Sequence, residues 1–117
     1  MFGLIPNPAA IWLVVAPVDM RRGIDGLSMI VQQAFGHAPG SGAAFVFHNR
    51  SGNRIKVLFW DGTGVWLCQR RLHQGRFIWP KATADSCLSV TMEQWQWLIT
   101  GVDWQRLSAV PSVDWQV

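Results

Sequence analysis

A chain of 117 residues, with 50% hydrophobic and 15% charged residues, is long and apolar enough to fold as one globular domain, which excludes a disordered protein. Its net charge of +3 is unevenly distributed. Residues 50–81 contain seven basic residues and one acidic residue, a local charge of +6 that leaves −3 for the rest of the chain. Such a separation favours a polyanionic or acidic partner, and a solvated sheet face has the same composition.

The ends of the chain and its cysteines predict a cytoplasmic protein without a membrane partner. Cys68 and Cys87 lack the CxxC spacing and are expected to be reduced, buried thiols. No basic residue precedes Arg21, and the longest apolar run, residues 9–16, is too short to span a bilayer. We expect a single domain over residues 1–117, with peripheral ends at 1–10 and 105–117.

The first half of the chain predicts a strand followed by a helix. Residues 11–18 are apolar and β-branched, as in a strand buried on both faces. Residues 20–36 have apolar positions at helical spacing. Asp19 is the predicted N-cap of this helix and Gly36 the residue that follows its last turn.

The second half predicts an antiparallel meander. Its candidate strands are residues 43–49, 54–60, 65–72 and 76–79. The short loops between them require antiparallel neighbours. Residues 81–90 are predicted to be irregular, and Thr91 with Gln94 forms a capping box for a second helix that ends at Gly101. The predicted fold class is therefore α+β: an antiparallel β-meander of four to five strands with one helix packed on the sheet and a short C-terminal helix.

The alternation of side chains assigns the central hairpin to two faces, with Trp60 opposite Val65. One face, predicted to seat the 20–36 helix, holds Ile55, Val57, Phe59, Trp66 and Cys68. The other face holds Arg54, Lys56, Gln69 and Arg71 at one end and Leu58, Leu67, Trp60 and Val65 at the other. Arg54 and Arg71 are neighbours of like charge, an arrangement that a nearby anion or solvent screening makes tolerable.

The sequence contains no constellation typical of an enzyme. The seven acidic residues and three histidines have no metal-ligand or acid–base spacing, and no HExxH, GxSxG or Walker motif is present. Gly62-Thr63-Gly64 has the setting of a hairpin turn rather than a phosphate-binding loop. We therefore predict no catalytic residue, no metal site and no cofactor.

Three blocks of sequence resemble one family. They are APVDMRRGIDGL at 16–27, KVLFWDGTGVWLCQRRLHQGRFIWP at 56–80 and LITGVDW at 98–104. The chain is similar in these blocks to the accessory protein of insertion sequence 66, called TnpB, and not to the RNA-guided nuclease of the same name, which is much longer. It departs from the family pattern at Gln69, Arg70 and His73, where relatives typically have an aromatic–Lys pair and a Glu. The resemblance implies a non-catalytic helper in DNA transposition, whose partner is the separate transposase of the same element.

Two modes of action remain open for such a helper. The first is nucleic-acid contact through the basic sheet face; its candidate residues are Arg50, Arg54, Lys56, Arg71 and Arg76, supported by Arg21 and Arg22. Contacts to about three phosphates would give a salt dependence of log K with a slope near −2.7. The second is a protein-interaction module that docks the transposase without touching DNA; its candidate residues are Trp60, Leu58, Leu67 and Trp79.

Overall fold

The computed structural model describes residues 8–35, 42–81 and 85–105. Within these ranges the chain forms five strands and two helices. In chain order they are β1 (Ala10–Val14), α1 (Ile24–Phe35), β2 (Ala43–His48), β3 (Arg54–Trp60), β4 (Val65–Arg71), β5 (Cys87–Val90) and α2 (Met92–Ile99). Gly36 and most of the ends predicted to be peripheral lie outside the described residues.

The strands form one mixed sheet in the order β4-β3-β2-β1-β5. The prediction of an α+β fold is confirmed, and β2, β3 and β4 are antiparallel neighbours as expected. A purely antiparallel sheet is wrong, because β1 pairs with β2 in parallel, with Ala10 beside Ala43 and Leu13 beside Val46. A parallel pair requires a crossover of about a dozen residues or more. The α1 helix lies within that crossover, which returns the chain to the end of the sheet at which β1 begins.

The strand at the β1 edge of the sheet is one that the sequence did not predict. Residues 87–90, expected to be irregular, form β5, which pairs antiparallel with β1. Residues 76–79, expected to be a strand, pair with no strand in the described part of the chain; Phe77 N–H donates instead to the Gly52 carbonyl, at 2.8 Å. Phe77 is buried against the sheet, so its segment covers a face instead of extending an edge.

Each face of the sheet is covered by a different helix. Leu27 and Val31 of α1 pack with Phe45, Phe47 and Leu58, which define the α1 face. The opposite α2 face is covered by α2 and by segments that flank it. Its core consists of Ile11, Leu13, Ala44, Val46, Ile55, Val57, Phe59 and Val90 from the sheet, together with Phe77, Trp95, Leu98 and Trp104.

The prediction that the first helix packs on Ile55, Val57 and Phe59 is therefore wrong, because α1 covers the opposite face of the sheet. All five central residues of β3 are buried, so both of its faces are core, and the apolar pattern does not distinguish which helix covers which face. The handedness of a parallel β–α–β crossover, almost always right-handed, determines the side on which its helix lies.

The ends of the two helices follow the sequence to different degrees. The capping box of α2 is confirmed: Gln94 N–H donates to Thr91 Oγ1 at 3.0 Å, and Thr91 N–H donates to Gln94 Oε1 at 2.8 Å. Gly101 follows the helix with φ +82°, a conformation that favours glycine. Asp19 is not the cap of α1, because the helix begins at Ile24 and the Asp19 carboxylate bonds to Arg21 instead.

One aromatic pair joins the segment after β4 to the other strands. The Trp79 ring stacks on His48, with centroids 4.2 Å apart, and its indole N–H donates to the Val14 carbonyl at 3.0 Å. His48 Nε2 lies 3.0 Å from the Val15 carbonyl oxygen. Burial lowers the pKa of the His48 imidazole below its ordinary value, and the bond to Val15 opposes that shift. The neutral imidazole is thus the form that suits the folded protein.

Replacing Leu58 by Ala should destabilise the fold far more than replacing its cross-strand partner Leu67. Leu58 is 0% exposed, whereas Leu67 is half-buried in the edge strand. Loss of a fully buried leucine side chain costs about 2–5 kcal/mol of the free energy of unfolding. Urea unfolding at equilibrium measures both variants; equal losses would contradict the position of α1 over Leu58.

The free energy of unfolding should fall as the pH decreases through the ordinary histidine pKa of about 6.5, and then level off below the folded-state pKa of His48. The sign follows from the lowered pKa, because the unfolded chain binds this proton more readily than the folded chain. Urea unfolding between about pH 7.5 and about pH 5.5 measures this dependence. His48→Gln should flatten it and the control His73→Gln should keep it; a curve unchanged by His48→Gln would count against this account.

Candidate functional site

Four arginines meet at the end of the sheet where β3 begins and β4 finishes. This basic end consists of Arg50, Arg54, Arg71 and Arg76. Arg54, the first residue of β3, lies directly opposite Arg71, the last residue of β4. Cβ atoms of such cross-strand pairs are about 4.5–5.5 Å apart, so the two arginine side chains start next to each other on the same face of the sheet. This pairing was predicted from the hairpin register and is confirmed.

The turn between β2 and β3 is held by its own asparagines. Asn49 Oδ1 accepts a hydrogen bond from the Arg54 backbone N–H at 3.0 Å, and Asn49 Nδ2 donates to Asn53 Oδ1 at 2.8 Å. The Gly52 N–H closes the turn on the Asn49 carbonyl at 3.0 Å. These hydrogen bonds fix the backbone of the turn that contains Arg50, whose side chain is exposed to solvent.

The segment after β4 returns beside the same turn and brings Arg76 with it. Leu72 N–H donates to the Asn53 carbonyl at 2.9 Å, and Phe77 N–H donates to the Gly52 carbonyl at 2.8 Å. Gly52 has φ +79°, which glycine adopts without strain. The aliphatic carbons of Arg76 lie over it, 3.5–3.7 Å from the place where a Cβ would be. Two separate loops thus contribute to one basic surface.

The basic end has no acidic partner within the described residues. No ion pair or side-chain hydrogen bond involves any of its four guanidinium groups there. Arg50, Arg71 and Arg76 are exposed and Arg54 is half-buried. The positive charges are therefore compensated only by solvent and counterions, which an anionic partner can replace.

Lys56 is not on the surface, contrary to its predicted place among the exposed cations. Its side chain is 8% exposed, and its Nζ donates to the Arg22 carbonyl oxygen at 2.9 Å. The α1 face is covered at this point by the chain that enters α1, which places Lys56 underneath that chain. Arg22 is exposed, and its Nη1 lies 3.7 Å from the position of a Cβ on Gly26, beside the first turn of α1.

Arg21 is exposed and already paired. Its Nη2 lies 2.7 Å from Asp19 Oδ2, and its Nε donates to both carboxylate oxygens at 3.1 Å. These bonds, with a further one from the Arg21 backbone N–H, lower the pKa of Asp19 to about 2, and the Asp19 carboxylate raises the pKa of Arg21. Within the part of the chain that the structure describes, Arg21 is thus the predicted cationic contact whose charge a carboxylate balances.

Arg70 was left out of the predicted contact set, and the structure gives it a different task. Its Nε donates to the Ile99 carbonyl at 2.7 Å, at the C-terminal end of α2. Arg70 projects from the α2 face, opposite to Arg71, because neighbouring residues of a strand alternate. A cation at the end of a helix satisfies a carbonyl that has no partner within the helix.

Of the four predicted apolar contact residues, one is fully buried and three are half-buried. Leu58 is fully buried, which corrects its expected exposure, and Leu67 and Trp60 are half-buried in the same α1-side cluster. The Trp60 ring packs edge-on against Phe45, with centroids 5.9 Å apart. Trp79 is held by Val14 and His48. The predicted role of Leu58, Leu67 and Trp60 rested on a face that α1 covers, whereas Trp79 packs against the α2-side cluster.

The exposed tryptophan of the hairpin is Trp66, which the sequence placed in the core. Its side chain is 43% exposed because β4 is an edge strand, and its indole N–H donates to Asp61 Oδ2 at 2.8 Å. Asp61 Oδ1 accepts from Thr63 N–H, Thr63 Oγ1 and Gly64 N–H at 2.8–2.9 Å. The bonds to Thr63, Trp66 and Gly64 lower the pKa of Asp61 to about 2, so the carboxylate that fixes this ring is ionised at neutral pH. Trp66 lies about 17 Å along β4 from the basic end.

The described residues contain no group of three or more His, Cys, Asp or Glu side chains that could hold a metal ion. None of the helices in residues 8–35, 42–81 and 85–105 is long and apolar enough to cross a membrane. Cys68 and Cys87 are free and half-buried, and burial raises the pKa of Cys87.

Comparison with known proteins identifies the family. The family model described as IS66 Orf2 like protein matches residues 9–109. The chain is 36% identical over 96 residues to the uncharacterized protein y4hO of Sinorhizobium fredii (strain NBRC 101917 / NGR234), covering 82% of this chain and 83% of that protein. It is also 36% identical over 101 residues to the uncharacterized protein y4jC of the same strain, covering 86% of each. No solved structure matches the chain. The match spans both helices and all five strands, and the chain belongs to the family of IS66 Orf2-like proteins.

Proposed function

We propose that this protein assists transposition by binding nucleic acid through its basic end. Membership of the IS66 Orf2-like family associates the chain with the transposition of an insertion sequence. The observation that supports nucleic acid as the ligand is the grouping of Arg50, Arg54, Arg71 and Arg76 without an acidic partner in the described part of the chain. In this proposal the transposase of the same element performs the chemistry, and this protein positions or holds the DNA.

The physical basis is the fit between guanidinium groups and phosphates. Arginine presents a planar set of N–H donors that binds phosphate oxygens in pairs, and contacts of this kind fix a protein on the duplex without reading its sequence. The turn bonds of Asn49 and the packing of Arg76 over Gly52 hold the backbone and the side-chain stem before the ligand arrives. Less conformational freedom is therefore lost on binding than with arginines in a loop without such bonds.

A phosphate ligand would also explain why Arg54 and Arg71 face each other despite their like charge. Two positive groups facing each other across a hairpin destabilise the fold when no anion is present. A phosphate between them turns that repulsion into two charge-assisted hydrogen bonds. The pair thus costs free energy in the isolated protein and returns it in the complex, which is typical of a binding surface.

Binding to a duplex that carries the terminal repeats of the element should weaken steeply with salt. Contacts from the four arginines of the basic end would contribute about −3.6 to the slope of log K against log salt, and Arg71→Gln or Arg54→Gln should each reduce its magnitude by about 0.9. Fluorescence anisotropy with labelled duplex measures this slope.

The matched control for these variants is Arg21→Gln, which removes one exposed positive charge that Asp19 already balances. Its slope should remain that of the wild-type protein. Binding that does not depend on salt, or no binding to either specific or unrelated duplex, would overturn the proposal.

A second candidate function is docking of the transposase, and the observation that favours it is Trp66. A large ring that is exposed and held by Asp61 resembles the aromatic anchors that dominate protein interfaces. Because Trp66 and the basic end lie at opposite ends of the same hairpin, one molecule can use both surfaces. This candidate replaces the apolar surface predicted around Leu58, which α1 covers.

If Trp66 anchors the transposase, Trp66→Ala should abolish co-purification of tagged transposase from cells that contain the element, and nuclease treatment should not affect the wild-type result. Loss of a central aromatic anchor costs about 2 kcal/mol or more of binding free energy, a decrease in affinity of about 30-fold. The control is Trp97→Ala on α2, because Trp97 is similarly exposed, at 38%. This variant should still co-purify with the transposase. Co-purification that survives Trp66→Ala, or that nuclease removes, would reject this role.

A further inference from the structure

We infer that Lys56 is a positioning residue: its buried ammonium group ties the segment 19–23 to β3, so that Arg22 and the basic end form one cationic surface. The part of this inference that concerns DNA rests on the proposed function. The part that concerns the segment 19–23 is independent of it. Lys56 itself is 8% exposed and does not reach a ligand from its place beneath this segment.

The surroundings of Lys56 are unusual for a lysine. On its own strand and face it lies between Arg54 and Leu58. Its cross-strand partners are Phe47 in β2 and Gln69 in β4. Lysine is almost never buried without a partner. Within the described residues its polar partner is the Arg22 carbonyl, 34 residues earlier in the chain. An unbranched apolar side chain of similar length, such as methionine, would fill the same space without the penalty of burying a charge.

The segment that Lys56 holds has few other long-range bonds. Its start is fixed by Val18 N–H, which donates to the His48 carbonyl at 2.9 Å. Between that point and α1, the bonds of Arg21 N–H and Arg22 N–H both go to Asp19, within the segment itself. Met20 adds an apolar contact with the α1-side cluster. The bond from Lys56 is therefore the polar tie between the end of this segment and the sheet in the described structure.

The bond from Lys56 to the Arg22 carbonyl determines the position of the Arg22 guanidinium group. Lys56, Arg54 and Arg71 share the α1 face, because residues two apart on a strand point to the same side and Arg71 lies opposite Arg54. Holding the Arg22 backbone on Lys56 keeps the Arg22 guanidinium on this face, next to the start of α1. Without the tie, the charge of Arg22 moves with a segment that only local bonds organise, and its phosphate contact is lost although the residue is intact.

Lys56→Met tests the tie in the free protein. Hydrogen exchange followed by mass spectrometry should show faster exchange of the backbone amides of residues 19–24 in this variant, with exchange in β2 and β3 unchanged. Arg54→Met is the matched control, since it removes a charge from the same strand and face but no bond to the segment, and it should leave residues 19–24 unchanged. Unaltered exchange in Lys56→Met would overturn the inference, whether or not the protein binds DNA.

Duplex binding then separates positioning from direct contact. Lys56→Met and Arg22→Gln should each reduce the magnitude of the salt slope by about 0.9, and the double variant should show the same reduction as either one alone. Arg54→Met with Arg22→Gln should instead give the sum of the single effects. An additive loss for Lys56→Met with Arg22→Gln would overturn the inference, because it would identify Lys56 as an independent contact. If Lys56→Met does not fold, Lys56→Gln, which keeps a shorter donor without charge, is subjected to the same two measurements.

Discussion

The two-sided burial of β3 is the constraint on which the rest of the structure depends. Ile55, Val57 and Phe59 face α2, and Leu58 faces α1, so this one strand joins both hydrophobic layers. A shift of one residue exchanges the two faces of a strand. Because both faces of β3 are apolar, the apolar pattern alone does not distinguish one register from the other. The same strand carries Lys56 on the α1 face, where its ammonium group donates to the Arg22 carbonyl oxygen of the chain entering α1.

The same constraint separates the two candidate surfaces. Because both faces of β3 are covered, exposed groups of the hairpin are restricted to its two ends and to the free edge of β4. The basic end collects charges from two strands and two loops, all without acidic partners in the described residues. At the other end Asp61 fixes the Trp66 ring in solvent. The hairpin thus has a group of arginines at one end and an exposed tryptophan at the other.

The acidic residues next to these surfaces are occupied. Asp19 is bound by Arg21 and Asp61 by its own turn and by Trp66, and each has a pKa near 2 for that reason. Neither carboxylate is free to neutralise the basic end. The positive field of residues 50–81 is therefore not compensated by these nearby acids, although the net charge of the whole chain is small.

Local patterns in the sequence by themselves determined the β2–β4 meander, the register of Arg54 against Arg71, the capping box at Thr91 and the family. Each of these depends on residues close together in the chain, whose spacing and turn chemistry are sufficient. Only the tertiary structure decided that β1 joins β2 in parallel, that β5 completes the edge, and that α1 lies over Leu58 rather than over Val57. The physical reason is that a strand apolar on both faces has no preferred side, so the crossover of α1 decides it, and with it whether Lys56 is exposed to a ligand or buried beneath the segment that leads to α1.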